Sequence, residues 1–586
     1  MRRSLLLFLC LAAPVGARTL IEQAYEAGTL DLETALLYQV QSLRDQEAIP
    51  PRYREEPARP FCGTPILVQA MQAVGQLGPD YGQRLAKILT RPSAERQVLS
   101  PSGHFRIHYD LRGINTVEAT DLDANGRPDY VDEVAATLDQ TWALQVDSLR
   151  FGEPPSDGVL GGGPEYDVHL VELGRVRAYG YTYPETSGAT TYSYLELDNN
   201  YTDAIYAQTR GRDALHVTVA HEFSHALQFG YYQGSDGIWW QEATSTWMEE
   251  VAYPEVDDYL QYVSSFLLEP ERSLDSGSRL TSTDFHVYGA ALFAHFLQHR
   301  YERDLIRRLW AEIAARANAH LEHFDRVLRT VTSGGLGTAT AEFSVWNYLT
   351  GNRHRDGYYP EGEKYPAAKR VELSVDAVAP KTVVEHDGTV DHLGSAYLSL
   401  EPRLLGGGVT LEFTADRGEW QAQLLLLDRD GIKVLPWTGS SAVVPSWDQY
   451  DNVVLVLTET DLTGVSFGYS ASITYDPDLF DAPPPDAFAL RESFPNPFRP
   501  DLGGLATIPF DLHEPSLTNR LAIYGSDGQL VWRRELGERS ARTHLETWDG
   551  CNQDGQPVAS GIYYYVLETD QSRAAKSLAV VRGGDE

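Results

Sequence analysis

Cysteine is scarce in this chain. Three occur in 586 residues, and Cys10 falls in an apolar leader, which leaves Cys62 and Cys551 to the mature protein. Two cysteines so far apart exclude a disulfide framework. Positive charge is scarce too, with 48 Lys plus Arg against 83 Asp plus Glu and a formal net charge of -35. That balance disfavours nucleic acid and anionic membrane surfaces as partners, because both call for basic patches. It suits an exported protein, or one that binds calcium. After the leader no apolar run reaches bilayer length, so no transmembrane segment is predicted.

What is present falls into successive units. Arg2 and Arg3 precede an apolar run from Leu5 to Val15, and Val15-Gly16-Ala17 supplies small residues for cleavage. Residues 1–17 therefore read as a secretory signal peptide, and Cys10 has no lipobox around it. Residues 18–98 repeat apolar side chains at three-to-four spacing, as in "ALLYQV" and "ILVQAMQAV", and predict a helical region, either a propeptide or a cap. Mixed strand and helix patterns over 99–369 predict an α+β domain. Short alternating strands over 370–475 predict a β-sandwich. A proline-rich linker spans 476–489, and 490–586 forms a second all-β unit with Ser526-Asp527-Gly528-Gln529 as a hairpin turn.

The stretch "AHEFSHALQF" carries the chemistry. On a helix at about 100° per residue, His221 and His225 fall within about 40° of each other. Ala220, Phe223 and Leu227 lie on roughly the opposite side, so the two imidazoles are expected to point off the core. A catalytic zinc takes three protein ligands and leaves one position for water. Glu242 in "WWQEATSTWMEE" follows His225 by 17 residues and opens a helical stretch. The metzincin continuation after the first helix is absent.

The order H-E-x-x-H followed by a glutamate resembles the gluzincin branch of zinc metallopeptidases. "SPSGHFRIHYD", "LELDNNY", "VAHEFSHALQFGYY", "QEATSTWMEE" and "VYGAALFAHFL" occur in that order between Ser100 and Tyr365, an order similar to that of a group of secreted bacterial metalloproteases. The resemblance implies a zincin-like fold, with His221, His225 and Glu242 holding zinc. It implies Glu222 as the general base that takes a proton from the attacking water. It also implies an oxyanion donor after the third ligand, for which Tyr288 is the candidate and His286 the runner-up. Tyr288 also fits a helical core stripe with Phe285, Leu292 and Phe296. Where thermolysin-like enzymes have an aspartate four residues after the third ligand, this chain has Thr246, and Glu249 is the substitute at hand.

Two more motifs need a role. "DLDANGRPDYVD" places Asp121, Asp123, Asn125, Asp129 and Asp132 at positions 1, 3, 5, 9 and 12 of an EF-hand-type loop. Gly126 takes the sharp turn and the Arg127 carbonyl position 7, which predicts a Ca2+ site. "RPFCGTP" resembles the propeptide cysteine motif that keeps matrix metalloproteases latent, with Phe61 in place of the arginine. Cys62 is accordingly a buried free thiol, a latency ligand, or the partner of Cys551.

"SFPNPFRP", "IYGSDGQLVW", "WDGCNQDGQPVASGIYYYVLE" and "KSLAVVR" resemble the FlgD-like immunoglobulin modules used as type IX sorting domains. That resemblance implies a bacterial secretion machinery as partner and a secreted or cell-surface location. The expected protein is a secreted zinc metallopeptidase acting on protein or peptide substrates, with Zn2+ and Ca2+ as cofactors. The competing class is a surface adhesion or binding protein on a non-catalytic version of the same fold.

Overall fold

The computed structural model describes residues 19–54, 62–277, 284–375, 382–402, 405–429, 431–480, 485–502 and 504–582. The expected signal peptide, 1–17, lies outside them, as does Phe61 of the cysteine motif. Among the described residues no helix is long and apolar enough to cross a membrane.

Four helices open the described chain: α1 (Leu20–Glu26), α2 (Leu32–Arg44), α3 (Thr64–Leu77) and α4 (Pro79–Ile88). Their ends follow local chemistry. Thr19 and Asp31 cap α1 and α2 by accepting from the backbone N–H of Glu22 and Thr34. Gly78 ends α3 at φ 89°, a conformation that other residues adopt only at a cost.

A five-stranded sheet follows, built from β1 (Arg96–Leu99), β2 (Phe105–Tyr109), β3 (Tyr166–Val171), β4 (Gly180–Pro184) and β5 (Ser193–Asp198). Its order is β1-β2-β3-β5-β4, with β2, β3 and β5 parallel and both edge strands antiparallel. The sheet thus begins at Arg96, inside the segment expected to be helical. Side chains alternate across the pleat. Phe105, Ile107, Val168, Leu195 and Leu197 face the core shared with α5 (Asp129–Trp142) and α6 (Gly211–Tyr231). Tyr181, Tyr183 and Tyr194 face the other way, onto Leu36, Val40, Leu67 and Met71 of α2 and α3. Buried Glu196 pairs with Arg44 of α2, whose guanidinium also lies over the Tyr183 ring. The N-terminal helices are therefore a packed layer on the sheet.

The first core is completed by α7 (Ile238–Ala252), α8 (Leu260–Leu267), α9 (His286–Gly289), α10 (Ala291–Arg300), α11 (Asp304–Arg316), α12 (Leu321–Leu328) and α13 (Gly335–Tyr348). Between Val371 and Asp476, strands form sheets of five and four around Leu398, Leu411, Leu455, Ile473 and Trp447. An outer row of this sandwich, Tyr397, Leu425, Val454 and Val456, joins the first core, and Tyr397 donates to the Ser344 carbonyl of α13 at 2.8 Å. The last unit pairs sheets of three and four strands around its own core, with Ile508, Phe510, Tyr565 and Leu567 inside. Its hairpin turns at Ser526–Gln529, where Gly528 has φ 80°. The chain is multidomain, with helices at the N-terminal end and all-β sheets towards the C-terminus.

Candidate metal centre

Helix α6 carries His221, Glu222 and His225, and α7 carries Glu242. The wheel places the two histidines off the core, but the structure corrects that expectation: α6 is buried on every side from Leu215 to Phe229 except at the partly covered His216. The cause is tertiary. Helix α7 packs along the histidine face, and the residues just before α3 close over it.

The donor atoms converge. His221 Nε2 and His225 Nε2 are 3.2 Å apart. Glu242 Oε2 is 3.4 Å from the first and Oε1 3.2 Å from the second. Cys62 Sγ lies 3.6 Å from His225 Nε2. These four side chains form one buried cluster with all ligand atoms within 4.8 Å of each other. A tetrahedral zinc with bonds of about 2.0–2.1 Å to N or O and about 2.3 Å to S has edges of about 3.3 Å between light donors and about 3.6 Å from N to S. The observed separations match those edges.

Hydrogen bonding at the far ring nitrogens fits the same conclusion. His221 Nδ1 faces Glu249 Oε1 at 2.6 Å, and His225 Nδ1 faces Gln228 Oε1 at 2.9 Å. With both Nδ1 atoms donating, each Nε2 presents a lone pair to the other. Neither Glu242 oxygen has a hydrogen-bond donor. Two lone pairs and a buried carboxylate aimed at one point form a donor set that a cation would fit. Burial, reinforced by Glu222 and Glu242, pushes the Cys62 thiol well up, so this sulfur ionises there only against a cation. Burial likewise pushes Glu249 up to about 8, against the pull of His221.

The proposed base is held from two sides. Glu222 Oε2 accepts from Thr182 Oγ1 of β4 at 2.7 Å and from Thr64 Oγ1 at 3.2 Å. The Tyr288 ring packs against Tyr262 and Phe285, and the residue lines a cavity together with His221, Glu222 and Cys62. Its hydroxyl donates to the Cys62 carbonyl at 3.3 Å. Burial, then Glu242 and Cys62, push the phenol well up, so it stays a donor. His286 is different: its ring nitrogens face the Ser265 and Ser273 carbonyls, and burial pushes it down to about 4. It belongs to the scaffold.

Thr64, Thr182 and Gln228 were not singled out by the sequence reading. Gln228 carries a usable signal, three residues after His225 on the same helix. The two threonines carry none, since nothing local to them points to Glu222.

In the acidic loop, Asp121, Asp123 and Asp129 come together, and Gly126 makes the turn at φ 86°. Asp121 accepts from the backbone N–H of Asn125 and Gly126. Asn125 Nδ2 bridges Asp123 and Asp132 at 3.0 and 2.7 Å. The Arg127 guanidinium pairs with Asp132 at 3.0 Å. Three of the expected ligands thus converge, while Asn125 and Asp132 are engaged with each other. Cys551 is a free thiol, as is Cys62, which rules out the pairing between them.

Residues 93–334 match a family of unknown function (DUF6055), and residues 499–573 match the FlgD Ig-like domain. No curated protein matches the chain. Among solved structures, PorZ, an essential surface component of the type IX secretion system of Porphyromonas gingivalis, is 23% identical over 19% of this chain and 14% of its own, with a TM-score of 0.13. FlgD of P. aeruginosa is 22% identical over 13% of this chain and 59% of its own, with a TM-score of 0.12. Latent PorU of P. gingivalis is 14% identical over 36% of this chain and 19% of its own, with a TM-score of 0.14. The chain therefore spans less than two thirds of the length of each of these structures.

Proposed function

We propose that this chain is a secreted zinc-dependent peptidase with a zincin-like catalytic domain. The observation that carries the reading is the convergence of His221 Nε2, His225 Nε2 and Glu242 at tetrahedral edge distances, with Glu222 beside them. His221, His225 and Glu242 would hold a zinc ion, which would supply Lewis acidity towards water and a peptide carbonyl.

The chain's own groups do the rest. Glu222 accepts the proton of the attacking water and returns it to the leaving amine. Thr182 fixes the carboxylate oxygen that does this. Glu249 and Gln228 hold the imidazoles in the tautomer that leaves Nε2 free. Tyr288 donates to the carbonyl oxygen as charge develops there, and its bond to the Cys62 carbonyl supports that role.

Ca2+ at the Asp121–Asp132 loop stabilises the same domain. The FlgD Ig-like unit directs the protein to a secretion machinery and so to the cell surface or the medium.

One observation favours a second reading, a surface binding protein without activity. Cys62 completes four protein donors, and closed four-ligand zinc sites are structural. Metal analysis of the purified protein, with digestion of a casein-type substrate with and without chelator, separates the two. One zinc per chain with chelator-sensitive cleavage supports the peptidase. Zinc without cleavage by any processed form supports the binding protein.

A further inference from the structure

The geometry points to Cys62–Thr64 as a built-in inhibitory latch, in which the Cys62 sulfur takes the fourth position on the cation until this segment leaves the cleft. The inference rests on the zinc-peptidase reading above.

Two residues of this three-residue segment, Cys62 and Thr64, engage all three parts of the proposed machinery. Cys62 Sγ stands at the edge distance of an N–S pair from His225 Nε2, 3.6 Å. The Cys62 carbonyl takes the hydroxyl of Tyr288. Thr64 Oγ1 donates to Glu222 Oε2 and itself accepts from the Thr182 backbone N–H at 2.9 Å. A ligand present only to complete a structural site accounts for the sulfur. It does not account for neighbours that occupy the base and the oxyanion donor as well.

The segment is also fitted to its seat. A Cβ on Gly63 would stand 2.4 Å from Tyr181 Cε1 and 3.0 Å from Leu43 Cδ1, so only glycine passes between β4 and α2 there. The Thr64 backbone N–H points at Cys62 Sγ from 3.4 Å, at the N-terminal end of α3. Helix α3 is anchored on the sheet by Leu67 and Met71. β4 is an edge strand, and such an edge offers free backbone groups to an extended peptide. The bond from Thr182 N–H to Thr64 uses one of them. The space left among Cys62, His221, Glu222 and Tyr288 is about 30 Å³, room for water and not for a peptide.

Release is a ligand exchange without redox change. The sulfur leaves the cation with its electron pair and takes up a proton from solvent, and the position opens to water. Glu222 and Tyr288 lose their contacts to the segment in the same movement. The means of release consistent with this packing is removal or displacement of the N-terminal helical layer.

The test uses the full chain loaded with Co2+ in place of zinc, as wild type, Cys62→Ala and Gly63→Ala. Wild type is expected to bind one cobalt, to show a thiolate-to-cobalt charge-transfer band in the near ultraviolet, and to cleave casein slowly. Cys62→Ala should keep one cobalt, lose the band, and cleave at least about tenfold faster, because a closed site has no position for water. Gly63→Ala keeps the sulfur but crowds its seat, so the band should weaken and cleavage should rise; it also decides the matter if the first variant does not fold. A wild-type chain with cobalt but no band overturns the latch. So does a folded Cys62→Ala chain that loses its cobalt, or one that cleaves no faster than an active wild type, and in these cases the peptidase reading stands. A wild-type band with no cleavage by any of the three chains overturns the peptidase reading, and the latch with it.

Discussion

His221 Nδ1 lies 2.6 Å from the carboxylate of Glu249, seven residues beyond Glu242 on the same helix. Two turns of α7 therefore supply both a candidate ligand and the group that orients another. The position four residues after Glu242, where thermolysin-like enzymes place an orienting carboxylate, is Thr246, and its hydroxyl has no partner.

Replacing Glu249 by Gln keeps the shape of that contact and removes the carboxyl's capacity to ionise beside a metal-bound imidazole. Metal affinity should fall by about 10- to 100-fold, read by competition with a chelator of known affinity. Unchanged affinity would mean that Glu249 is a buried scaffold residue.

Glu222→Gln should retain one zinc per chain, because Glu222 is not among the converging donors. An amide cannot take the proton from water, so cleavage by the activated protein should fall by roughly 100- to 10,000-fold. His221→Ala should lose metal and activity together. A Gln variant as fast as the parent would refute the assignment of the base.

Calcium should raise the melting temperature, since Asp121, Asp123 and Asp129 converge only in the fold. At about 100 times Kd the gain is about 2.7 kcal/mol by mass action. Asp121→Ala should abolish the calcium-dependent part. Calorimetry with and without calcium reads it, and an unaltered response in the variant would reduce the loop to an acidic turn.

Deleting residues 490–586 should leave specific activity near that of the parent. The deleted unit has its own core, and no candidate zinc ligand, base or oxyanion donor lies beyond Tyr288. In the native host, the same deletion should stop export or surface attachment. Lost activity with normal location would show instead that the module serves the active site.

His544 gives the C-terminal module a pH dependence. It is buried against Phe510, its Nε2 donates to the Ser540 carbonyl at 2.9 Å, and burial pushes it down to about 4. Above the unfolded value of about 6.5 the ring is neutral in both states. As pH falls below that value the unfolded chain binds the proton first, so stability drops until the folded ring titrates near 4. The isolated module should lose up to about 3 kcal/mol across that window. His544→Gln should flatten the profile in urea melts at pH 7, 5.5 and 4.

The sequence by itself determined the order of the units and much of the candidate site. Local patterns suffice for that: three-to-four spacing marks α2 and α3, alternation marks β2, and the i, i+4 spacing of His221 and His225 puts both rings on one side of α6. Glu242 was legible because its spacing after His225 follows a recognisable motif. Tertiary structure alone decided the rest. The wheel left the histidines facing outward, and only the packing of α7 and of the Cys62–Thr64 segment encloses them. Cys62 and His225 are separated by 163 positions, and Thr64 and Glu222 by 158. No periodicity connects residues so distant. Their meeting depends on the N-terminal helices burying Leu36, Val40, Leu67 and Met71 against Tyr181, Tyr183 and Tyr194. That apolar burial is non-directional along the sequence, and it is what carries the sulfur to the cluster.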